Sequence, residues 1–313
     1  MLKRIAYILP VFFLLTIMVF AMVHLLPGDP SDILLSGEAG MGDPVVREAL
    51  MKELGLDKPY PIQYVIWLKR ALQGNFGKSV YSEEEVLTLF MQRFPATLLL
   101  AFTAMIISLA IALPAGIISA VKRNKMADYA SMLFALLGVS LPNFFVAILL
   151  ILVFSLWLGW LPSIGYVSPL ESISGALKCL IMPATALGLR MAAVVTRMTR
   201  SSMLDELGQD YVRTARAKGL PERTVIFLHT LKNALIPTVT MVGLQFGTIL
   251  GGTVVIEMVF SWPGVGQLLV EGILTRDYLV VQACVLFLAT AFLVVNLLID
   301  LIYTLVNPRV ALE

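Results

Sequence analysis

Charge is what this sequence has least of. Only 14% of its 313 residues are Asp, Glu, Lys or Arg, against 58% hydrophobic. Soluble domains carry about 25% charged and about 45–50% apolar residues. So little charge cannot clothe a compact water-soluble fold, which excludes an ordinary globular domain. The net charge of +2 supplies no basic field, so no nucleic-acid partner is expected. Cysteine is confined to Cys179 and Cys284, both in or beside apolar segments. They read as buried small hydrophobes rather than as a disulfide or metal pair. Histidine is confined to His24 and His229, far apart and without neighbouring carboxylates or thiolates, so no metal site is expected. There is no G-x-S-x-G elbow, no H-E-x-x-H and no pair of carboxylates inside an apolar segment. Gly77-Lys78-Ser79 imitates the end of a phosphate loop, but the required earlier glycine is replaced by Leu72 and no apolar strand precedes it. A polar turn is the simpler reading. No catalytic residue, metal or cofactor is therefore expected on this chain.

What is abundant is long apolar sequence, with a mean hydropathy of +0.88. A membrane-spanning helix needs about 20 mostly apolar residues, and six segments qualify. They run from Ile5 to Leu26, Ala96 to Val121, Tyr129 to Leu158, Leu177 to Thr199, Leu235 to Val259 and Leu279 to Val306. The fourth is the weakest, because Arg190 and Arg197 stand inside it. The first follows Lys3 and Arg4 and superficially suggests a signal peptide. Its apolar run is too long and is followed by Pro27-Gly28-Asp29-Pro30 rather than a small-x-small cleavage site, so an uncleaved span is expected. The fold class expected is an all-α polytopic membrane protein with six transmembrane helices.

Orientation follows from the basic residues of the short connections. Lys3 and Arg4, then Lys122, Arg123 and Lys125, then Arg200, Arg213, Arg216, Lys218, Arg223 and Lys232, then Arg309, all fall on one side of a six-span chain. The stretch Gly159 to Ala176 has neither Lys nor Arg, and Phe260 to Tyr278 has only Arg276. Both termini are therefore expected in the cytoplasm of a bacterial cell, with the chain in its inner membrane. The resulting division is a first span over 1–26, an extracytoplasmic segment over 27–95, a five-helix core over 96–306 with a cytoplasmic loop at 200–234, and a tail at 307–313. In the outer segment, Asp43 to Leu54 predicts a short helix with Asp43 as N-cap and Gly55 at its end, and a second helix is predicted over Ile62 to Leu72.

Within the spans, Gly243, Gly247 and Gly251 recur every fourth residue and share a helix face on which another helix can approach closely. Two readings stay open: packing at the centre of a bundle or dimer beside a pathway, or ordinary packing within the subunit. Pro142 with Asn143, and Pro114 with Gly116, should bend or loosen their helices. Asp300 and Asn296 are spaced for one face of the last span, with Asp300 near its cytoplasmic end, where pairing with arginine or water is expected.

The loop from Ser201 to Pro221 is the most informative stretch. Asp210 is a good N-cap, Tyr211 to Lys218 predicts a short basic helix, and Gly219 stops it before Pro221 starts another. Such a helix, exposing Tyr211, Val212, Ala215 and Leu220, is shaped for a partner's groove. A loop lying on anionic headgroups would carry the same charge.

This loop resembles the EAA motif of ABC importer permeases, in the form carried by the dipeptide, oligopeptide and nickel permease family. Arg213-Thr214-Ala215 stands where the motif has Glu-Ala-Ala, Gly219 is its glycine, and His229-Thr230-Leu231-Lys232 replaces Ile-x-Leu-Pro, as in the peptide-transporter branch. Other segments resemble the family too: His24-Leu25-Leu26-Pro27-Gly28-Asp29-Pro30, Gly138-Val139-Ser140-Leu141-Pro142, Gly251-Gly252-Thr253-Val254-Val255-Ile256-Glu257, Trp262-Pro263-Gly264-Val265-Gly266, Arg276-Asp277-Tyr278 and Asn307-Pro308. The resemblance implies a type I ABC importer transmembrane domain. It implies a second homologous permease subunit, two cytoplasmic ATPase subunits that hold ATP and Mg, and an extracytoplasmic solute-binding protein. It assigns Tyr211, Val212, Arg213, Thr214, Ala215, Lys218, Gly219 and Leu220 to ATPase coupling. Spans three and five, with Pro142, Asn143, Gly243, Gly247 and Gly251, would line the path. Short peptides are the expected cargo, with nickel chelates or glutathione as alternatives. An ion-coupled secondary transporter is the rival class, but it calls for acids or broken helices at the midplane and often an internal repeat. No repeat is visible, and the acid at Asp300 lies near an end.

Overall fold

The computed structural model describes residues 2–24, 52 and 57–306. The helix expected between Asp43 and Leu54, its Gly55 cap, and the 307–313 tail lie outside these residues. Among the described residues the secondary structure is helical apart from one isolated bridge, Lys78 to Glu85. We number the helices α1 (Leu2–His24), α2 (Tyr60–Leu72), α3 (Val86–Val121), α4 (Met126–Ser140), α5 (Asn143–Leu150, continued by wider π turns over Ile151–Trp157), α6 (Ile173–Leu207), α7 (Asp210–Ala217), α8 (Leu231–Val259), α9 (Val265–Leu274) and α10 (Tyr278–Val306). A helical turn, Glu222–Thr224, and π turns over Val225–Thr230 lead into α8. Among the described residues four helices are long and apolar enough to cross a bilayer: Val86–Val121, Ile173–Leu207, Glu222–Ile249 and Tyr278–Ile299. The bent pair α4–α5 raises the number to five.

Two expectations change. The helix of the second span starts at Val86, well before Ala96, and runs unbroken through Pro95, Pro114 and Gly116 to Val121. Pro114 and Gly116, expected to bend or loosen it, lie within one continuous helix, and Gly116 also serves a close helix contact. The third span is not one helix. Leu141 and Pro142 are both extended, Pro142 lacks the N–H that would continue the ladder, and α5 leaves α4 at 107°.

The chain divides into two compact units. The first comprises Met1–Thr97 and Pro263–Leu293. Its core joins the start of α3 to α9 and the start of α10: Val86, Phe90, Val265, Leu268, Val280 and Cys284 are buried together, and Phe90 stacks on Phe287 with ring centroids 4.3 Å apart. The Thr97 hydroxyl accepts the Val265 N–H at 2.8 Å. Tyr64 of α2 shares a 2.8 Å hydrogen bond with Thr16 of α1. The Gly77-Lys78-Ser79 segment is a turn: Gly77 has φ +83, and Asp277 accepts from the Ser79 hydroxyl at 2.6 Å and from the Val80 N–H at 2.9 Å. Both cysteines are free; Cys284 is buried, while Cys179 is only half-buried.

The second unit comprises Leu98–Trp262 and Val294–Glu313. Helix α6, expected to be the weakest span because Arg190 and Arg197 stand inside it, is its centre, with 67% of its most apolar stretch buried. Its small residues explain this: Ala184, Ala186, Gly188, Ala192 and Ala193 are all buried and let neighbours come close. A Cβ on Gly188 would stand 2.7 Å from the Ala104 carbonyl oxygen of α3, one on Gly116 of α3 would stand 2.6 Å from the Thr199 Cβ, and one on Gly138 of α4 would stand 2.8 Å from the Ala193 Cβ. The order of these contacts sets directions. Ala104 meets Gly188 and Gly116 meets Thr199, so α3 and α6 run parallel. Asp128 meets Arg200 and Gly138 meets Ala193, so α4 runs against α6.

Gly188 makes a stability prediction. Its would-be Cβ meets backbone, which cannot swing aside, so Gly188→Val should destabilise by about 1–3 kcal/mol, as overpacking typically does. Gly251→Ala, with nothing within 4 Å, should not lower stability. Thermal unfolding of the purified variants in detergent checks both.

Candidate functional site

The loop singled out by the sequence forms one end of the second unit. Buried Ala120 of α3, Met203 of α6, Ile226 of the π turns before α8 and Ala234 of α8 pack together there, with Ile117, Leu204 and Leu231 around them. On this base sits α7, which begins one residue earlier than a cap at Asp210 would place it: Gln209 is the N-cap and makes no side-chain cap bond. The helix ends at Gly219 with φ +77. The Gly219 N–H donates to the Arg216 carbonyl at 2.9 Å and the Leu220 N–H to the Ala215 carbonyl at 3.4 Å. This pair of bonds is a Schellman stop, which needs a residue in the left-handed region. Arg216 then reaches across the turn to Glu222 at 2.6 Å, tying α7 to the helical turn beyond Pro221. That pair is largely exposed and fixes geometry more than it adds stability.

The residues expected to face a partner divide. Val212 and Ala215 do not point outward; they are buried against Val225, with Leu207 beside them. Their spacing of three puts them on one helix face, and an isolated eight-residue helix needs that face buried to persist. Arg213, Thr214, Lys218, Gly219 and Leu220 are exposed. Tyr211 does both. Its ring is partly exposed, while its hydroxyl donates to the Glu206 carboxylate and accepts from the Asn233 side chain at 3.0 Å. Burial and the Glu206 carboxylate both push the Tyr211 hydroxyl above its usual range, so it remains a proton donor at neutral pH. Tyr211 thus joins the last turn of α6, α7 and the first turn of α8. The exposed edge of α7 is held from below by apolar contacts, at one end by this hydroxyl, and at the other by the glycine stop.

Beside this platform lies a cluster that sequence reading missed. Asp128, at the start of α4, is 2% exposed. Its carboxylate accepts Arg200 Nε at 2.7 Å and a second guanidinium nitrogen at 2.9 Å, the Ser119 hydroxyl at 2.5 Å and the Asn124 N–H at 2.9 Å. One buried carboxylate therefore binds the end of α3, the connection after it, the start of α4 and α6. In the sequence Arg200 is one more basic residue of a basic loop. The available clue is a lone acid, Asp128, directly behind Lys122, Arg123 and Lys125.

The second candidate region is the break in the α4–α5 pair. Two cavities adjoin Asn143 and Arg190. One, about 280 Å³, is lined by apolar groups of α4, α5 and α6, such as Leu137, Val146 and Leu189. The other, about 310 Å³, reaches α8 and is lined also by Gln245, Thr248 and Gly252. Pro142 makes the break, so the two residues predicted to bend the chain bring Asn143 to the cavities. The glycine stripe does not act as one surface. A Cβ on Gly243 would stand 2.5 Å from Ile299 of α10, Gly247 is buried, and Gly251 has nothing within 4 Å. At Gly243 the stripe serves packing within the subunit. Asn296 is half-buried in α10, and the Asp300 side chain lies outside the described residues.

Residues 112–312 match the model of the binding-protein-dependent transport system inner membrane component, and residues 1–101 match the N-terminal model of the same kind of membrane component. The chain is 43% identical over 308 residues to the glutathione transport system permease protein GsiC of Escherichia coli strain K12, covering 98% of this chain and 97% of that protein. The GsiC of Shigella flexneri serotype 5b matches with the same identity and coverage. In fold, the chain is similar to a subunit of the MetNI methionine ABC transporter in an inward-facing conformation, with a TM-score of 0.58 at 19% identity, covering 70% of this chain and 96% of that one. It is likewise similar to an amino acid ABC transporter solved with histidines, with a TM-score of 0.51 at 15% identity, covering 71% and 94%. The loop ending at Gly219, the apolar helices and matches along nearly the whole length agree: the chain belongs to the binding-protein-dependent transport system inner membrane components, and is an ABC importer permease of the dipeptide, oligopeptide and nickel permease family.

Proposed function

We propose that this chain forms one half of the membrane pathway of an importer for short peptides of the glutathione kind, and that residues 210–220 couple that pathway to a cytoplasmic ATPase. The observation that carries the cargo class is the 43% identity, over 98% of the chain, to proteins named as glutathione transport permeases. In this reading α1, α3, the α4–α5 pair, α6, α8 and α10 are six passages through the inner membrane. The basic connections after α3 and α6 and both termini face the cytoplasm, and 27–95 faces outward. A second homologous permease completes the path. Two ATPase subunits hold ATP and Mg below it, and a solute-binding protein delivers cargo from outside. The exposed Arg213, Thr214, Lys218, Gly219 and Leu220 meet the ATPase, while Val212 and Ala215 hold α7 in place and Tyr211 ties it to α6 and α8. The movement of the ATPases then reaches the spans through these attachments. Pro142 and Asn143, on the α4–α5 pair, and Gly247 and Gly251, on α8, border the path.

Affinity purification of the tagged chain from membranes in mild detergent tests this reading. A second permease and P-loop ATPases should come with it, and ATP hydrolysis by the assembly should rise with a peptide-loaded binding protein. Purification of the chain alone under several detergents would overturn the importer assembly. Assembly with an ATPase that responds to nickel chelates but not to peptides would overturn the cargo.

A further inference from the structure

Arg190 stands halfway along α6, the most buried of the long apolar helices. It is exposed, and among the described residues it has neither an ion pair nor a hydrogen bond. An arginine in the middle of a membrane helix is expensive to keep and, where it is kept, faces a bundle interior or a water-filled cavity. Here it lines the cavity of about 310 Å³ between the break in the α4–α5 pair, α6 and α8. The polar groups around it are of the right kind for an anion. The amides of Asn143 and Gln245 and the hydroxyl of Thr248 line the same space, and no acidic side chain does. Neither amide side chain has a hydrogen-bond partner among the described residues. A planar guanidinium with free donors matches the two-oxygen fork of a carboxylate or a phosphate, and of these the carboxylate is the group a short peptide carries. Two turns further along α6, Arg197 is also exposed and also without such a partner among the described residues.

We infer that this cavity is a carboxylate station on the transport path: Arg190 holds a carboxylate of the cargo while Asn143, Gln245 and Thr248 orient the rest. Arg197 offers the next cation toward the α7 end. A guanidinium fork gives the site no use for a neutral cargo group and a strong preference for an anionic one. This inference rests on the importer reading and adds to it the chemical group that the membrane part itself recognises.

The test is equilibrium binding to the assembled transporter in detergent, without the binding protein, using glutathione and its diethyl ester, whose carboxylates are capped. Wild-type complex should bind glutathione at least about tenfold more tightly than the ester, the effect of one charge-assisted hydrogen bond. Arg190→Gln should bring glutathione down to the ester's affinity and leave the ester unchanged. Arg190→Lys should keep part of the preference. Lys178→Gln, on the same helix but outside the cavity, should behave as wild type. Equal binding of the two ligands, no binding of either, or a preference that survives Arg190→Gln would overturn the station. If Arg190→Gln fails to assemble, the wild-type comparison and Arg190→Lys still decide. Loss of the ATPases from wild-type preparations is a separate result that strikes the importer reading instead.

Discussion

Replacing Gly219 with valine should cut ATP-driven uptake by about 5–30-fold without reducing the amount of chain in the membrane. The magnitude follows from the backbone: Gly219 sits at φ +77, and forcing a side-chain-bearing residue into the left-handed region costs about 1–2 kcal/mol, which shifts a two-state population by about 5–30-fold. Valine is a poor tenant because its branched Cβ stiffens the residue further. Sterics with neighbours are not the cause, since nothing lies within 4 Å of a Cβ there. The strained valine opens the Schellman stop, frees the carbonyls of Ala215 and Arg216, and lets Leu220 and the Arg216–Glu222 tie move. Gly219→Asn is the discriminating partner, because asparagine tolerates this backbone region; it should retain most of the uptake. Uptake by Gly219→Val equal to wild type, at matched membrane levels, would remove this turn from the coupling mechanism.

The second large effect is expected at Asp128 and Arg200. Breaking a buried pair by removing one partner typically costs about 3–5 kcal/mol, because the remaining charge is stranded. Asp128 is the more deeply buried partner, with side-chain exposures of 4% for Asp128 and 23% for Arg200. Arg200→Ala should therefore be the worse variant, since it strands a carboxylate that water cannot reach. Asp128→Ala leaves a guanidinium that can turn toward solvent, so its loss should lie at the lower end. At about 2–4 °C per kcal/mol, Arg200→Ala should lower the melting temperature of the purified complex by about 10–20 °C, and Asp128→Ala by about 6–12 °C. The double variant should be far less than additive, and Ser119→Ala, which removes one hydrogen bond to the carboxylate, should cost about 1.5–3 kcal/mol. Additive single effects would show that the two side chains do not act as a pair.

Much of this molecule is legible in its sequence, and the misses have physical reasons. Apolar runs mark the passages because lipid demands them, and the helix stop at Gly219 and the break at Pro142 are local backbone chemistry. Hydropathy misleads at α6: its arginines and small residues lower the apolar score, yet the small residues are what make it the centre of the second unit. The inward turn of Val212 and Ala215 is missed for a different reason. Sequence shows that an amphipathic helix has an apolar face but not whether its own chain or another covers that face. The Asp128–Arg200 pair joins residues far apart in sequence, and only the crossing of α4 and α6 brings them together. Arg190 is visible as an oddity in sequence; that it opens on a cavity shared with Asn143 and Gln245 depends on the 107° turn of α5.

Because α3 and α6 run the same way, the chain between Val121 and Ile173 must travel from one end of that helix pair back to the other. No helix in it makes the journey. Each half of the bent pair is about 22 Å long, short of the roughly 30 Å of a hydrocarbon core, and the return is finished by the mostly non-helical run over 158–172. Neither half can be laid into lipid as a finished unit when it leaves the ribosome. The surface that α4 rests on, Leu189 and Ala193, belongs to α6, which is synthesised later. The passage is thus completed by tertiary packing: neither half of the bent pair reaches across a hydrocarbon core by itself, and α4 leans on α6 to hold its place.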